Sequence, residues 1–329
     1  MDKHILLTLV LCWIGCEKQA DTLVHQGYAL GTSYGVQYAP IDHSYDTVQQ
    51  GIDSLFYVIN ASLSTYLPAS AISQINQGDS LVIVDKHFQK VYVQADKVWK
   101  ATKGYFDPTI GAWVNAYGFG PDKALANISK LQRDSLMQIT GWDKIHLTPD
   151  HRIRKEKPEI YIDFNALAKG YAVDVIADYL IQLGSQNHLV EIGGEVVAKG
   201  NSPKSGKAWK IGIDKPNETG ERSLQSIVAL SNLALATSGN YRKFRLDELT
   251  GDKYVHSINP LSGIPVRSKV LSVSVKAPNC MMADAYATAL MVMPFDESKA
   301  LIESNNSLAA YWILSSDGGQ LEEVFSSRW

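Results

Sequence analysis

Asp163–Asp174 reads DFNALAKGYAVD and predicts the start of a helix. It places the acid Asp163, the ammonium of Lys169 and Gly170 within one or two turns. An apolar helix face lies behind them: Ala168, Ala172, Val175 and Ile176. A helix start offers unpaired N–H groups and a dipole that favours anions, so a cation beside it suits a phosphate. A capped surface helix with a solvated lysine would carry the same residues, and the stretch alone does not separate the two.

The order of helices and strands favours an α+β fold with mainly antiparallel sheets packed with helices. Apolar spacing predicts helices at 45–63, 86–102 (with Asp85 as its cap), 129–140, 166–183 and 281–293. Alternation and β-branching predict strands at 33–38, 160–162, 188–192, 210–213, 226–230, 254–258, 271–277 and 309–314. Residues 104–121 are rich in glycine, lack periodicity and predict a functional loop. Because strands outnumber the helices between them in the second half, a doubly wound sheet is disfavoured.

Composition and motifs exclude several classes of protein. The net charge is −3 and the pI is near 6.2, so there is no basic footprint for nucleic acid. No GxGxxG follows a predicted strand and no GxxxxGKS/T occurs, which disfavours the common nucleotide-binding folds. We therefore expect a globular protein without a nucleic-acid partner.

The first sixteen residues are typical of an export signal. Lys3 precedes an apolar run at 5–14, which has the length of a signal h-region and is too short to span a bilayer. The following Gly15 and Cys16 resemble the lipobox of bacterial lipoproteins, although Trp13 stands where that motif usually has leucine. We expect a lipoprotein signal peptide at 1–16, a tether at 17–26 and one domain at 27–329. The protein would be exported and lipid-anchored at Cys16 on the periplasmic face of the bacterial inner membrane. A buried N-terminal element with an incidental cysteine is the alternative.

A candidate metal site lies in ADAYATAL, residues 283–290. Asp284 and Thr288 stand four residues apart on the predicted helix and therefore share one face. A carboxylate and a hydroxyl are hard oxygen ligands, and Mg²⁺ usually takes one or two carboxylates and completes its shell with water or phosphate oxygens. The spacing favours a Mg²⁺ site, with a helix cap and a packed threonine as the alternative.

Two further segments are rich in groups that bind or react. Residues 104–121, GYFDPTIGAWVNAYGFGP, interleave aromatic side chains with glycines, and Asp107 would accept hydrogen bonds from a flat ring stacked there. These aromatic side chains, Trp113 above all, would serve equally well to fill the core. In ATSGNYR, residues 236–242, small residues at a strand end predict a turn suited to an oxyanion. His256, in the neighbouring YVHSINPLSGIP, is a candidate for catalysis or a structural histidine.

Taken together, these segments closely resemble the ApbE family, the bacterial FAD:protein FMN transferases. The resemblance begins near Leu30 and covers nearly all of the remaining chain. Its motifs occur in order: LGT (30–32), STYLPASAISQIN (64–76), GYFDPTIG (104–111), DFNALAKGYAVD (163–174), EIGGEVVAKG (191–200), KIGIDKP (210–216), ATSGNYR (236–242), HSINPLSG (256–263) and ADAYATAL (283–290). So many ordered motifs are far more specific than any one of them alone.

The resemblance implies roles for individual residues. Asp284 and Thr288 match side-chain ligands of Mg²⁺, the backbone carbonyl of Ala166 matches a third ligand, and His256 matches a histidine associated with the transfer. The positions that match FAD contacts are Leu30, Tyr66, Tyr105, Phe106, Asp107, Asp163 and Lys169.

Three positions depart from the family pattern. Leu30 replaces a methionine of similar volume, which packing should tolerate. Asn259 replaces the aspartate before a proline, so any role of that carboxylate is absent here. Asn165 replaces glycine or serine, which leaves the role of the Ala166 carbonyl open.

By resemblance, the chain is a Mg²⁺-dependent transferase with a T-fold-like body. It would cleave the pyrophosphate of FAD, move FMN to a Ser or Thr hydroxyl of an acceptor protein and release AMP. A membrane redox subunit is the expected acceptor, and His256 or Asp284 would deprotonate its hydroxyl. The alternatives are an FAD pyrophosphatase that yields FMN and AMP, and a non-catalytic flavin-binding lipoprotein, which would not need the metal ligands. A solute-binding lipoprotein is disfavoured because the strand pattern lacks two parallel α/β lobes.

Overall fold

The computed structural model describes residues 21–121, 124–125, 128–217, 223–240, 244–246, 253–255, 257–266, 268–316 and 320–329. Its helices are α1 (Tyr45–Leu63), α2 (Ala71–Asn76), α3 (Lys86–Ala101), α4 (Gly111–Ala116), α5 (Lys130–Gln138), α6 (Asn165–Gln182), α7 (Cys280–Val292) and α8 (Phe295–Ser304), with 3₁₀ turns at Pro108–Ile110 and Trp142–Lys144. Its strands are β1 (Leu23–Ala29), β2 (Thr32–Tyr38), β3 (Ile145–Leu147), β4 (Ile153–Lys155), β5 (His188–Ile192), β6 (Glu195–Lys199), β7 (Trp209–Asp214), β8 (Leu224–Leu230), β9 (Leu233–Gly239), β10 (Phe244–Leu246), β11 (Lys253–Val255), β12 (Ile258–Asn259), β13 (Ile264–Pro265), β14 (Val270–Ala277), β15 (Ala309–Ser315) and β16 (Leu321–Phe325).

Eight strands form one large sheet in the order β1-β2-β5-β6-β9-β14-β15-β16, and each neighbouring pair is antiparallel. Side chains alternate between its two faces, as strand geometry requires. On β9, Ala234 and Ala236 belong to the main core that the helices cover, whereas Leu235 belongs to a second core with Trp209 of the β7–β8 hairpin. The predicted α+β fold with mainly antiparallel sheets is confirmed.

Helices α6 and α7 pack against each other and position the site. Asp174 of α6 caps the start of α7, since its two carboxylate oxygens accept hydrogen bonds from the N–H groups of Cys280 (2.7 Å) and Met281 (2.8 Å). At Gly170 the two backbones approach so closely that a Cβ would lie 2.4 Å from the carbonyl oxygen of Cys280. Only glycine permits this approach, so the cap and the glycine together fix how α6 lies against α7.

Most predicted elements are confirmed. Helix α1 has the predicted bounds, and α3 begins directly after the predicted cap, Asp85. The predicted strand at 160–162 is wrong. Both main-chain groups of Ile162 bond to the side chain of Asn76, each with an N···O distance of 2.8 Å, instead of pairing with a neighbouring strand. Local alternation does not reveal a partner that lies 86 residues away.

Three predicted boundaries also differ from the structure. Strand β1 begins at Leu23, inside the predicted tether at 17–26, because its main chain pairs with β2. The predicted loop at 104–121 contains a 3₁₀ turn and α4, and the predicted strand at 254–258 is divided between β11 and β12. None of the helices in the described ranges combines the length and the apolar character needed to cross a membrane.

Candidate active site

A cavity of about 1040 Å³ opens where α6 and α7 meet the ends of β5, β6 and β9. Drug-sized ligands occupy pockets of roughly 300–1,000 Å³, so this cavity is large enough for a dinucleotide. Its wall includes each predicted site residue within the described ranges: Leu30, Tyr66, Tyr105, Phe106, Asp107, Asp163, Ala166, Lys169, Asp284 and Thr288. His256 and Cys16 lie outside the described residues. The fold thus brings separate sequence motifs to one cavity.

The predicted metal donors converge at the contact between α6 and α7. The Gly170 N–H donates to Asp284 Oδ2 at 3.1 Å. In an α-helix this same N–H faces the carbonyl four residues earlier, which is that of Ala166. The Ala166 carbonyl and the Asp284 carboxylate therefore approach one N–H group. Thr288 lies one turn along α7 from Asp284, and its hydroxyl is 3.4 Å from Ser238 Oγ.

These donors suit a hard cation. Among the described residues, no group of three or more His, Cys, Asp or Glu side chains could hold a metal ion. Mg²⁺ does not require such a group, because one carboxylate with a hydroxyl, a carbonyl and substrate oxygens meets its preferences. The residues present therefore fit Mg²⁺ in chemical type and in location.

Asp284 is buried, with 3% of its surface exposed. Burial raises the pKa of its carboxyl to about 7, whereas Lys169 and the Gly170 N–H act in the opposite direction. Ionisation of a buried carboxylate is costly, so any further positive charge nearby stabilises its charged form. This stabilisation is what a bound cation would provide.

The sequence predicted that Lys169 is a cation that binds a phosphate. In the structure its ammonium contacts two carboxylates of the protein. Its Nζ lies 2.8 Å from Glu195 Oε1 and 3.7 Å from Asp284 Oδ2. Burial opposes the charge of Lys169, but the two carboxylates more than offset burial and raise its pKa. The ammonium remains charged at the cavity wall and can still face an anion there.

The cavity lining also includes the aromatic side chains that the resemblance associates with flavin. Tyr66 is largely exposed, Tyr105 is half-buried, and Phe106 is buried. The partial burial of Tyr66 and the neighbouring Asp163 raise the pKa of its hydroxyl. Asp163 Oδ1 accepts a hydrogen bond from the Asn165 N–H at 2.7 Å, and burial raises the pKa of its carboxyl. A cavity lined by both aromatic and charged side chains matches a ligand with a flat ring and phosphates.

Asp107 lines the cavity and also accepts hydrogen bonds from the protein itself. Its Oδ1 accepts hydrogen bonds from the main-chain N–H (2.8 Å) and the hydroxyl (2.6 Å) of Thr109. Its Oδ2 accepts one from the main-chain N–H of Trp142 (3.0 Å). Burial raises the pKa of Asp107, and these hydrogen bonds oppose the rise. Trp113 is fully buried, so for this residue the core-filling alternative is confirmed.

The predicted oxyanion turn in 236–242 is partly strand. Thr237, Ser238 and Gly239 are the last residues of β9, and all three line the cavity. The Thr237 hydroxyl lies 2.7 Å from Ser274 Oγ, which engages it within the sheet. The end of β9 thus contributes small polar residues to the cavity lining.

The sequence matches the family model of the ApbE family over residues 30–312. The chain belongs to the ApbE family. It is 35% identical over 325 residues to the FAD:protein FMN transferase of Haemophilus influenzae, covering 96% of this chain and 93% of that protein. The solved structure of flavin transferase ApbE from Vibrio cholerae superposes with a TM-score of 0.84 at 34% identity, covering 94% of this chain and 98% of that one. The apo flavinyl transferase ApbE of Pseudomonas stutzeri has a TM-score of 0.81 at 27% identity, with 94% and 97% coverage.

Two features of the site in this ApbE chain were missed by sequence reasoning. Glu195 enters the cavity directly after the Gly193–Gly194 turn and binds Lys169, although no local pattern marked it as functional. The β1–β2 hairpin turns on Leu30 and Gly31 alone, with φ of 51° and 74°. Positive φ at both positions characterises a type I′ turn and is uncommon for leucine. Leu30 therefore has a strained backbone conformation, and the turn that contains it lines the cavity.

Proposed function

We propose that this ApbE-family chain is a Mg²⁺-dependent FAD:protein FMN transferase. The names of its relatives support the flavin transfer. The proposed Mg²⁺ dependence rests on one observation: the Asp284 carboxylate accepts a hydrogen bond from the Gly170 N–H and lies one helical turn from Thr288. Helix geometry places the Ala166 carbonyl at the same N–H. Bound there, Mg²⁺ would offset negative charge that develops on the pyrophosphate.

The reaction would exchange the phosphoanhydride bond of FAD for a phosphoester bond to the acceptor. The acceptor oxygen of a Ser or Thr forms a bond to the phosphorus of the FMN half, the P–O bond to AMP breaks, and AMP leaves. His256 would take the hydroxyl proton, and Asp284 is the alternative group for this task. Lys169 would face the phosphates, and Tyr66 would cover the flavin and limit access of water.

We also propose a location for the enzyme at the membrane. Residues 1–16 have the pattern of a lipoprotein signal, so Cys16 would carry a lipid anchor at the periplasmic face of the inner membrane. A membrane redox subunit would then be within reach as the acceptor.

The test uses the full chain with FAD, Mg²⁺ and a domain that carries candidate Ser or Thr sites. Mass spectrometry measures the acceptor, and chromatography measures the nucleotides. We expect an acceptor heavier by one FMN and an equal amount of AMP. Free FMN with AMP, at every acceptor tried, would instead identify a pyrophosphatase, and bound but intact FAD would identify a carrier.

Asp284→Ala tests the cation site within this assay. The variant should lose at least ~100-fold in rate, because it removes the charged ligand and leaves Lys169 without one of its buried partners. Asp134→Ala is the matched control, since this exposed aspartate lies on α5 away from the cavity. Equal rates in the two variants would refute the assignment of Asp284.

A further inference from the structure

Glu195 is a buried carboxylate whose only hydrogen-bond partner within the described residues is Lys169. It is 5% exposed, and its Oε1 accepts from Lys169 Nζ at 2.8 Å. Its Oε2 is also buried and has no hydrogen-bond partner in the described chain. A buried, half-satisfied carboxylate costs stability, so the fold itself does not explain Glu195.

The Lys169 ammonium lies between two buried carboxylates, but not midway. The contact with Glu195 has the length of a charge-assisted hydrogen bond, whereas 3.7 Å to Asp284 Oδ2 is too long for one. The lysine stem is flexible, and a movement of about 1 Å would close the second gap. The ammonium therefore lies on the Glu195 side, within reach of Asp284 but not bonded to it.

This position of the ammonium matters to a cation at Asp284. An ammonium bonded directly to Asp284 would occupy an oxygen that a metal needs, and its charge would repel the metal at short range. While Lys169 stays on Glu195, Asp284 Oδ2 has only the Gly170 N–H at hydrogen-bond distance among the described groups.

We propose that Glu195 is a positioning residue that holds Lys169 away from Asp284 and so keeps Asp284 available to a divalent cation. The proposal rests on the proposed role of Asp284 as a Mg²⁺ ligand. It concerns the affinity for the cation and is separate from the transfer step.

Direct Mg²⁺ binding to the full chain without FAD tests the proposal. Titration calorimetry with MgCl₂ is compared for the wild type, Glu195→Gln, Lys169→Met and the double variant. Glu195→Gln should weaken Mg²⁺ binding by ~10–100-fold, the usual effect of losing a group that orients a metal ligand. In the Lys169→Met background the same substitution should change the affinity by less than about threefold, because no ammonium is left to close on Asp284.

Glu195 also carries a charge, and the double variant separates this effect from positioning. If simple charge attraction were responsible, Glu195→Gln would weaken binding by the same factor in both backgrounds, which would overturn the proposal. An unchanged affinity in Glu195→Gln would overturn it as well. The rise in thermal midpoint caused by Mg²⁺ gives a second readout, and Glu195→Met replaces the glutamine variant if that one does not fold.

Failure of this inference differs from failure of the proposed function. A wild-type chain that binds Mg²⁺ and cleaves FAD, with no selective effect of Glu195→Gln, removes only the positioning role. A wild-type chain that neither binds Mg²⁺ nor depends on it to cleave FAD removes the proposed cation site, and the role of Glu195 with it.

Discussion

Gly170→Ala should drive α6 and α7 apart at the point where the metal donors meet. A Cβ at this position would lie 2.4 Å from the Cys280 carbonyl oxygen and 2.9 Å from Asp284 Cβ. Carbon and carbonyl oxygen normally stay ~3.3 Å or more apart, so roughly 0.9 Å is missing. The clash is with the backbone of α7, which cannot move aside by a side-chain rotation. Asp174 also holds this backbone in place through the N–H groups of Cys280 and Met281.

Overpacking of this kind costs ~1–3 kcal/mol, and a backbone obstacle favours the upper end of that range. The better helix propensity of alanine returns about 1 kcal/mol. The net loss of stability is therefore about 2 kcal/mol, which lowers Tm by about 3 °C in a chain of this size. Separation of the Ala166 carbonyl from Asp284 by up to ~1 Å should also reduce the rate of FAD cleavage by about 100-fold.

Thermal unfolding followed by circular dichroism, together with AMP release, measures both effects of Gly170→Ala. Gly35→Ala is the matched control, because the nearest atom to a Cβ there is Glu191 Oε2 at 3.9 Å. The control should keep the wild-type Tm within about 1 °C. If Gly170→Ala melts at or above the wild-type temperature and cleaves FAD at the wild-type rate, the argument from close approach is refuted.

Two more predictions concern buried ionisable groups. Burial lowers the pKa of His188 to about 4. Between pH 6.5 and 4 this histidine is therefore protonated in the unfolded chain and neutral in the folded chain, so stability falls as the pH falls. Urea unfolding at pH 4.5 and pH 7 should show that His188→Gln reduces this fall, by up to ~3 kcal/mol, and an equal fall in both proteins would contradict the prediction. Asp107→Ala should cost ~2–4 kcal/mol of unfolding free energy because it leaves three donors from Thr109 and Trp142 without an acceptor. Weaker FAD binding at unchanged stability would instead assign Asp107 to the ligand.

Several features of the candidate site could be predicted because they are local. Asp284 and Thr288 share a face of α7 through their four-residue spacing, wherever the helix lies in the fold. Asp85 caps α3 through the N–H groups two and three residues later, which a cap residue reaches without help from the rest of the chain. For the same reason the bounds of α1 followed from its apolar repeat.

The sequence did not reveal contacts in which a side chain has a distant partner. The predicted strand at 160–162 was wrong because Asn76 satisfies the main chain of Ile162, and local alternation carries no information on such a partner. The hydrogen bond from the main-chain N–H of Trp142 to Asp107, which spans 35 residues, was not predicted either. Resemblance to a family located the cavity residues, but it did not indicate which of them bind one another.

Capping and periodicity act within one or two turns, so they were sufficient to predict the helices α1, α3, α5, α6 and α7, many of the strands, and the face on which Asp284 and Thr288 lie. How the polar groups of these elements combine depends on tertiary packing. Lys169 meets Glu195 across 26 residues, and the Gly170 N–H meets Asp284 across 114. Such pairs depend on where α6 packs against α7 and the sheet, since the charge and hydrogen-bonding state of a group is set by the neighbours that packing provides.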